Sequence, residues 1–321
     1  MMKIFRQLYY LVEKILNAVG LSLVKKSDIE KNSISLKILF EPDSKKREGT
    51  AECIIFSKDR SLQLHALISS YFEKVKNPAK IHLLYKTSNA KHKKSYKELS
   101  EIFSSKLASV IEQTSFRENV IELLESIKAP RMMFFTDDDI FIENVDMQDY
   151  AKFDTNCFFP SLRLGLNLKK CYTYQKSQPI PPRIDDKIND LDKFCWQMQK
   201  GTYDWAIPFS VDGNLFSTKE ITLLSRNIPF SSPNSFEGNL LPFTKIFKYR
   251  YGVCYTKSKL MNIPCNMVQD YCTSNIHGVL HQDMLLEKWN EGLQIDRDAF
   301  KGIVNESAHQ DLNISFKKRN D

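Results

Sequence analysis

Seven cysteines occur, Cys53, Cys157, Cys171, Cys195, Cys254, Cys265 and Cys272, and no two of them form a C-x-x-C pair. An odd, scattered set excludes a disulfide framework and a zinc ribbon, and it fits reduced thiols in a cytosolic setting. The chain has no apolar run long enough to span a bilayer, because Arg6, Glu13 and Lys14 interrupt the one candidate. No small-residue cleavage site follows that stretch, so a signal peptide is not expected. No Arg-rich stripe interleaved with aromatics is present, and no nucleic-acid partner is expected. There is no internal repeat, and the only biased segment is the Lys-rich stretch at residues 91–97. The segment "SKDRSLQ" contains no glycine, which argues against a glycine-rich phosphate cradle after the first strand.

What is present is a globular composition: 321 residues, 42% apolar, 26% charged, and 46 Lys and Arg against 39 Asp and Glu, a net +7. A modest basic excess suits an anionic membrane surface or an anionic substrate such as a nucleotide. Near the N-terminus Ile4, Phe5, Leu8, Leu11, Val12, Ile15, Leu16 and Val19 recur at helical spacing, flanked by Lys3, Arg6, Lys14, Lys25 and Lys26. This amphipathic helix either lies on a membrane or docks on the protein's own core, and amphipathicity alone does not separate the two.

A polar linker, "EPDSKKREGT", leads into the main domain. Short apolar runs at residues 53–56, 81–85 and 132–135 read as strands, and helical faces lie between them. Strands alternating with helices indicate an α/β fold with a mostly parallel sheet flanked by helices. Runs such as "CIIF" and "MMFF" are apolar on both faces, as strands between two helical layers should be. "VDGNLFSTKEITLLSRNIPF" reads as a short strand and a helix capped by Ser217 or Thr218, with Glu220 near its start. The expected organisation is an N-terminal helix and linker at 1–45, a catalytic domain at 46–254, and a C-terminal extension at 255–321 that completes the acceptor side.

The most informative stretch is "RMMFFTDDDIFIENVD", residues 131–146. Two unit charges about 4 Å apart repel by roughly 1 to 4 kcal/mol, so adjacent aspartates at the end of an apolar strand need a partner. In an extended segment Asp137 and Asp139 share one side and Asp138 faces away. A divalent cation reverses the repulsion, since Mg²⁺ or Mn²⁺ takes one or two carboxylates, waters and phosphate oxygens. The expectation is a metal–diphosphate clamp rather than a solvated acidic turn, given the apolar residues on both sides.

Strand, "SKDR" loop, helix, strand, helix and then "FFTDDDIFI" resembles the nucleotide-sugar-binding half of a GT-A glycosyltransferase with its DxD motif. Downstream, "VDGNLFSTKEITLLSRNIPFSSPNSFEGNL" resembles the Gly-Asn segment of family 2-like members: Gly213, Asn214, Phe216, a helix, and then Glu237. The two segments cover most of residues 51–245. The chain is also similar to bacterial glycosyltransferases encoded with surface-polysaccharide genes. The resemblance implies that Asp139 binds metal and that Asp137 sits nearer the ribose or a metal-bound water, with Asp138 in support. It makes Glu237 the base that deprotonates the acceptor hydroxyl, and it lays the nucleotide along Ser57, Lys58, Asp59 and Arg60. It further implies Mn²⁺ or Mg²⁺ as cofactor, a nucleotide-sugar donor and a glycan or lipid-linked acceptor. With the basic N-terminus, the implied location is cytoplasmic, peripheral on the inner face of the cytoplasmic membrane. Two departures stand out. Lys86, Thr87 and Ser88 replace the aspartate that many members carry after the second strand, and the usual acidic pair is reduced to Glu237 alone. DDD also occurs in retaining relatives of the exostosins, so inversion and retention both remain open.

Trp205 could stack on an acceptor sugar and Asp212, or Asp204 in the same stretch, could accept its hydroxyl protons, although core packing is the competing role for the tryptophan. His277 and His281 stand four apart. Some GT-A enzymes use a C-terminal histidine as an extra metal ligand, which makes His277 the candidate here, with His281 as the alternate. The competing readings are a nucleotidyltransferase and a non-catalytic GT-A-like binding or assembly protein.

Overall fold

A computed structural model describes residues 45–188, 190, 192–247, 249–265 and 280–319, with a few isolated positions nearer the N-terminus. The chain divides into two compact units, residues 1–42 and 43–321. The amphipathic N-terminal helix expected from the sequence lies outside the described residues.

The second unit is organised around β1 (Ala51–Lys58), which is buried along nearly its whole length. A strand can be apolar throughout only if both faces are covered. On one face Cys53 and Ile55 share a core with Met133, Phe135 and the Leu64, Leu67, Ile68 and Tyr71 stripe of α1 (Ser61–Lys74). On the other face Phe56 stacks on Phe134 at 5.3 Å between centroids and meets Phe116 edge-on at 5.0 Å. Phe134 in turn meets Phe236 at 5.4 Å.

From β1 and α1 the chain runs through β2 (Lys80–Lys86), α2 (Ala90–Ile102), β3 (Leu107–Glu112), α3 (Phe116–Ser126) and β4 (Arg131–Thr136). There follow β5 (Asp139–Phe141), β6 (Phe158–Ser161), β7 (Lys193–Gln197), β8 (Leu215–Ser217), α4 (Thr218–Asn227) and α5 (Pro233–Leu240). Beyond α5 lie β9 (Tyr251–Tyr255), β10 (Leu260–Asn262) and α6 (Gln282–Asn290). The central sheet has the order β3-β2-β1-β4-β8. The first four strands are parallel, and β8 is antiparallel to β4. The mixed α/β fold with a mostly parallel sheet is therefore as expected.

The chain winds outward from β1 to β3 and then returns to β4 on the opposite side of β1. That reversal opens a crevice beyond the carboxyl ends of β1 and β4, the position where open α/β sheets bind ligands. Asp137 N–H donates to the Phe56 carbonyl at 3.1 Å and so closes the base of the crevice. The α4 start is also as expected, with Ser217 Oγ accepting from Glu220 N–H. Strand β3 was not anticipated. It is an edge strand with alternating half-buried and exposed positions, so "LASVIE" lacks the continuous apolar run of its neighbours.

A smaller sheet, β7-β9-β6, carries the chain past the crevice. Gly252 of β9 pairs with Trp196 of β7, and a Cβ at Gly252 would fall 2.1 Å from the indole ring. Trp196 Nε1–H donates to the Trp205 carbonyl at 3.1 Å, and the two indoles pack edge to face. Strand β10 pairs antiparallel with β5, placing Asn262 opposite Asp139, so the region beyond 255 is interleaved with the aspartate strand. The described cysteines are unbridged. No helix among the described residues is long and apolar enough to cross a membrane.

Phe134 is fully buried and touches three aromatic rings, on β1, β8 and α5. Phe134→Ala should destabilise the fold by about 3–5 kcal/mol, read as a lowered urea midpoint at unchanged slope.

Candidate functional site

The loop that leaves β1 is fixed by Asp59. Its φ of 55° is in the left-handed region, which Asp adopts more readily than most residues. Its buried carboxylate accepts from Ser88 N–H at 2.8 Å and from Ser88 Oγ. Asp59 therefore ties the loop to the end of β2 and does not line the crevice, contrary to the nucleotide-contact role expected for it. Ser57, Lys58 and Arg60 do face the crevice. Ser57 Oγ donates to Asp137 Oδ2 at 2.8 Å, and Lys58 N–H donates to the same oxygen at 3.0 Å. Arg60 Nη1 bridges Asp137 Oδ1 and Asp138 Oδ2, each at 2.9 Å.

The expected alternation of the three aspartates does not occur. Strand β4 ends at Thr136, Asp137 and Asp138 form a turn, and Asp139 begins β5. A turn brings consecutive side chains together, so Asp137 and Asp138 share Arg60 and both line the crevice. Asp139 lies behind them, accepting from Thr136 N–H at 3.0 Å. Asn262 Nδ2 lies 2.9 Å from Asp138 Oδ1 and 3.4 Å from Asp139 Oδ1. Burial pushes Asp137 up to about 6, with Arg60 opposing and Asp138 adding to the shift. Asp139 is raised well above the usual carboxylate range by burial, then by the charges of Asp212 and Asp138.

The crevice encloses a cavity of about 360 Å³. Its far wall carries Glu237, which sits within α5 rather than in a loop. That helix is set by a Ser232–Ser235 capping box with Pro233 in its first turn. Glu237 Oε1 accepts from Val211 N–H at 2.7 Å. Burial pushes Glu237 up to about 7, and Asp212 adds to this against the Val211 N–H and Arg163.

Asp212 accepts from Thr136 Oγ1 at 3.1 Å and lies 3.5 Å from His309 Nε2 and 3.8 Å from Arg163 Nη1. Burial acts to raise Asp212, but His309, Arg163 and Thr136 outweigh it and hold the carboxyl below the usual range. His309 is lowered by burial and raised more strongly by Asp212, so its net shift is upward. Gly213, at φ +74°, turns the chain directly after Asp212, and its N–H donates to the Phe134 carbonyl at 2.9 Å. A Cβ there would approach Leu260 Cδ2 to 2.8 Å, so only glycine fits this turn without a shift.

The cavity thus gathers Ser57, Lys58, Arg60, Asp137, Asp138, Asp212 and Glu237 from the expected set. Trp205 is not among them. It is fully buried against Trp196 and Phe194, and core packing takes up its ring faces. His281 caps α6, accepting from Asp283 N–H through Nδ1, and its side chain is 68% exposed. His277 lies outside the described residues. Among the described histidines, the one that reaches the cavity is His309, which sequence reasoning missed, as it missed Arg163 and Asn262; Asp204, singled out beside Trp205, does line it. None of the three missed residues stands in a motif; distant pairing alone brings them together.

Among the described residues no three His, Cys, Asp or Glu side chains converge on one point. Asp138 and Asp139 share Asn262, and Asp139 is crowded by the charge of Asp212. Such an oxygen pair suits a hard cation that takes one or two protein carboxylates and fills its shell with phosphate and water.

No protein-family model matches the chain. Among curated proteins it is similar to the bifunctional glycosyltransferase pgtA of Dictyostelium discoideum, at 23% identity over 218 residues, covering 60% of this chain and 28% of the relative. Among solved structures it is similar to S. aureus TarS, at TM-score 0.40 and 12% identity, over 64% of this chain and 35% of that one. The apo structure of the bifunctional glycosyltransferase WbbM is similar at TM-score 0.37 and 10% identity, over 63% of this chain and 38% of that one. The chain therefore spans little more than a quarter of the curated relative and 35% and 38% of these two solved structures.

Proposed function

We propose that this chain is a GT-A-type glycosyltransferase that moves a sugar from a nucleotide-sugar donor to a hydroxyl of a glycan or lipid-linked acceptor, with Mg²⁺ or Mn²⁺ as cofactor. One observation carries the reading: a cavity at the sheet's switch point is lined by Ser57, Lys58 and Arg60, the aspartate turn and Glu237. The similarity to pgtA supports the same activity over the stretch it covers.

The roles follow from the chemistry of each group. Arg60, Lys58 and Lys86 line the side where β1 and β2 end and would hold the donor diphosphate, Arg60 through charge-assisted hydrogen bonds. Asp138, at the cavity, would hold the cation, backed by Asp139 behind it. When bound, the cation neutralises charge on the departing nucleoside diphosphate. Val211 N–H fixes one oxygen of Glu237, and the carboxylate so oriented would accept the acceptor's proton. The acceptor oxygen bonds to the anomeric carbon as the bond to the diphosphate breaks, and the proton passes to Glu237. With an external base of this kind the configuration inverts. A carboxyl raised to about 7 is matched to proton transfer at neutral pH.

The surrounding setting is part of the proposal. The basic amphipathic N-terminal segment would hold the enzyme at the inner face of the cytoplasmic membrane, beside acceptors of surface-polysaccharide or lipopolysaccharide synthesis. The full-length chain should float with anionic liposomes; recovery entirely in the soluble fraction would end that part.

A panel of nucleotide sugars with Mn²⁺ tests the activity. One donor should be turned over, and Asp139→Ala should abolish the turnover. Failure of every donor to bind or react would overturn the reading, as would unchanged turnover in that variant. For Glu237 the sign is clear: a base works deprotonated, so the rate should rise with pH through about 7 and level off above it. Glu237→Gln should remove that rising limb and lower kcat by roughly 10²–10⁴-fold while donor KM stays near the wild-type value.

A further inference from the structure

The cavity also contains a buried ion cluster that the steps above leave unused. Arg163 and Asp204 line the cavity and are 3% and 4% exposed. Arg163 Nη1 stands 3.6 Å from Asp204 Oδ1 and 3.8 Å from Asp212 Oδ2, both longer than a hydrogen bond. Among the described residues Arg163 Nε and Asp204 Oδ2 have no hydrogen-bond partner. A guanidinium and a carboxylate kept for structure alone would close to a charge-assisted contact of about 2.7–2.9 Å. Here they stay open at one nitrogen and one oxygen. Asp204 N–H donates to Gln178 Oε1 at 3.3 Å, and Trp205, the next residue, is locked in the small core.

The cluster lies where the transferred group must sit if the glycosyltransferase reading holds. Asp212 is bonded to Thr136, the residue before the aspartate turn. Val211, its neighbour, holds Glu237. The cluster is thus placed between the diphosphate side and the base.

We infer that Arg163 and Asp204 bind a pair of hydroxyls on the transferred sugar, and that this subsite takes an uncharged hexose in preference to a hexuronate. A sugar hydroxyl both donates and accepts, a guanidinium only donates, and a carboxylate only accepts. The pair therefore complements two neighbouring hydroxyls. A sugar carboxylate fits poorly, because the single charge of Arg163 is already shared between Asp204 and Asp212. An added anion there would meet Asp204 and Asp212, with Arg163 shared between them and His309 already set against Asp212. Sites built to bond a hydroxyl reject analogues that lack it far more strongly than apolar pockets reject a change in size.

The test compares nucleotide hexoses with the matching nucleotide hexuronates and with single-deoxy donors of the same base, using the full chain. Binding of the nucleoside diphosphate alone is measured in parallel. The wild type should use an uncharged hexose and turn over its hexuronate and one single-deoxy analogue at least about 100-fold less well in kcat/KM. Asp204→Asn and Arg163→Lys should erase most of that discrimination while nucleoside diphosphate affinity stays within about threefold. Equal or better use of the hexuronate, or full discrimination retained in both variants, overturns the inference. The wild-type comparison stands even if a variant fails to fold. Diphosphate binding with no preference among sugars sinks this subsite alone, whereas absence of all nucleotide binding sinks the glycosyltransferase reading with it.

Discussion

A single buried guanidinium joins the two halves of the crevice. Arg60 leaves the loop after β1 and bridges two carboxylates of the turn after β4. Burying a charge is tolerable only when it is paired and hydrogen-bonded, and removing one partner of such a pair typically destabilises by about 3–5 kcal/mol. The same turn is held from the β1 side by Ser57 Oγ and Lys58 N–H, both on Asp137. Tyr96 of α2 accepts from Arg60 N–H, so the second helix is anchored to the same point. The geometry of the cavity depends on this link, because β1 and β4 themselves end before it.

Around that link the acidic groups are separated by their surroundings. Asp212 lies among Thr136, His309 and Arg163 and is held low. Glu237 lies nearby with one backbone donor and a negative neighbour, and it is pushed up to about 7. Two carboxyl groups in one cavity thereby acquire different tasks, one a fixed charge and the other a proton acceptor near neutrality. The distinction comes from where the cations lie, since both groups are deeply set.

Much of the framework was readable from local pattern. Strands apolar on both faces, such as "CIIF" and "MMFF", required two helical layers, and they have them. The Ser217 cap and the α4 helix followed from short-range chemistry. The edge strand β3 was not readable, since a strand covered on one side carries a weak signal. The aspartate run misled for a related reason. Alternation holds only while the chain stays extended, and the backbone turns at Asp137.

The sequence by itself determined the layered α/β architecture, the delivery of three aspartates to a strand end, and the candidacy of Glu237. The first two depend on residues within a few positions of one another, and the third on the resemblance of the 211–240 segment. Tertiary structure decided which aspartates face the cavity and that Asp59 turns inward. It also buried Trp205 and brought His309, Arg163, Asp204 and Asn262 to the site. Those outcomes turn on the partner each buried charge or hydrogen-bonding group finds, and the partners come from elements far apart in the chain. Periodicity records whether a position is covered; it does not record what covers it.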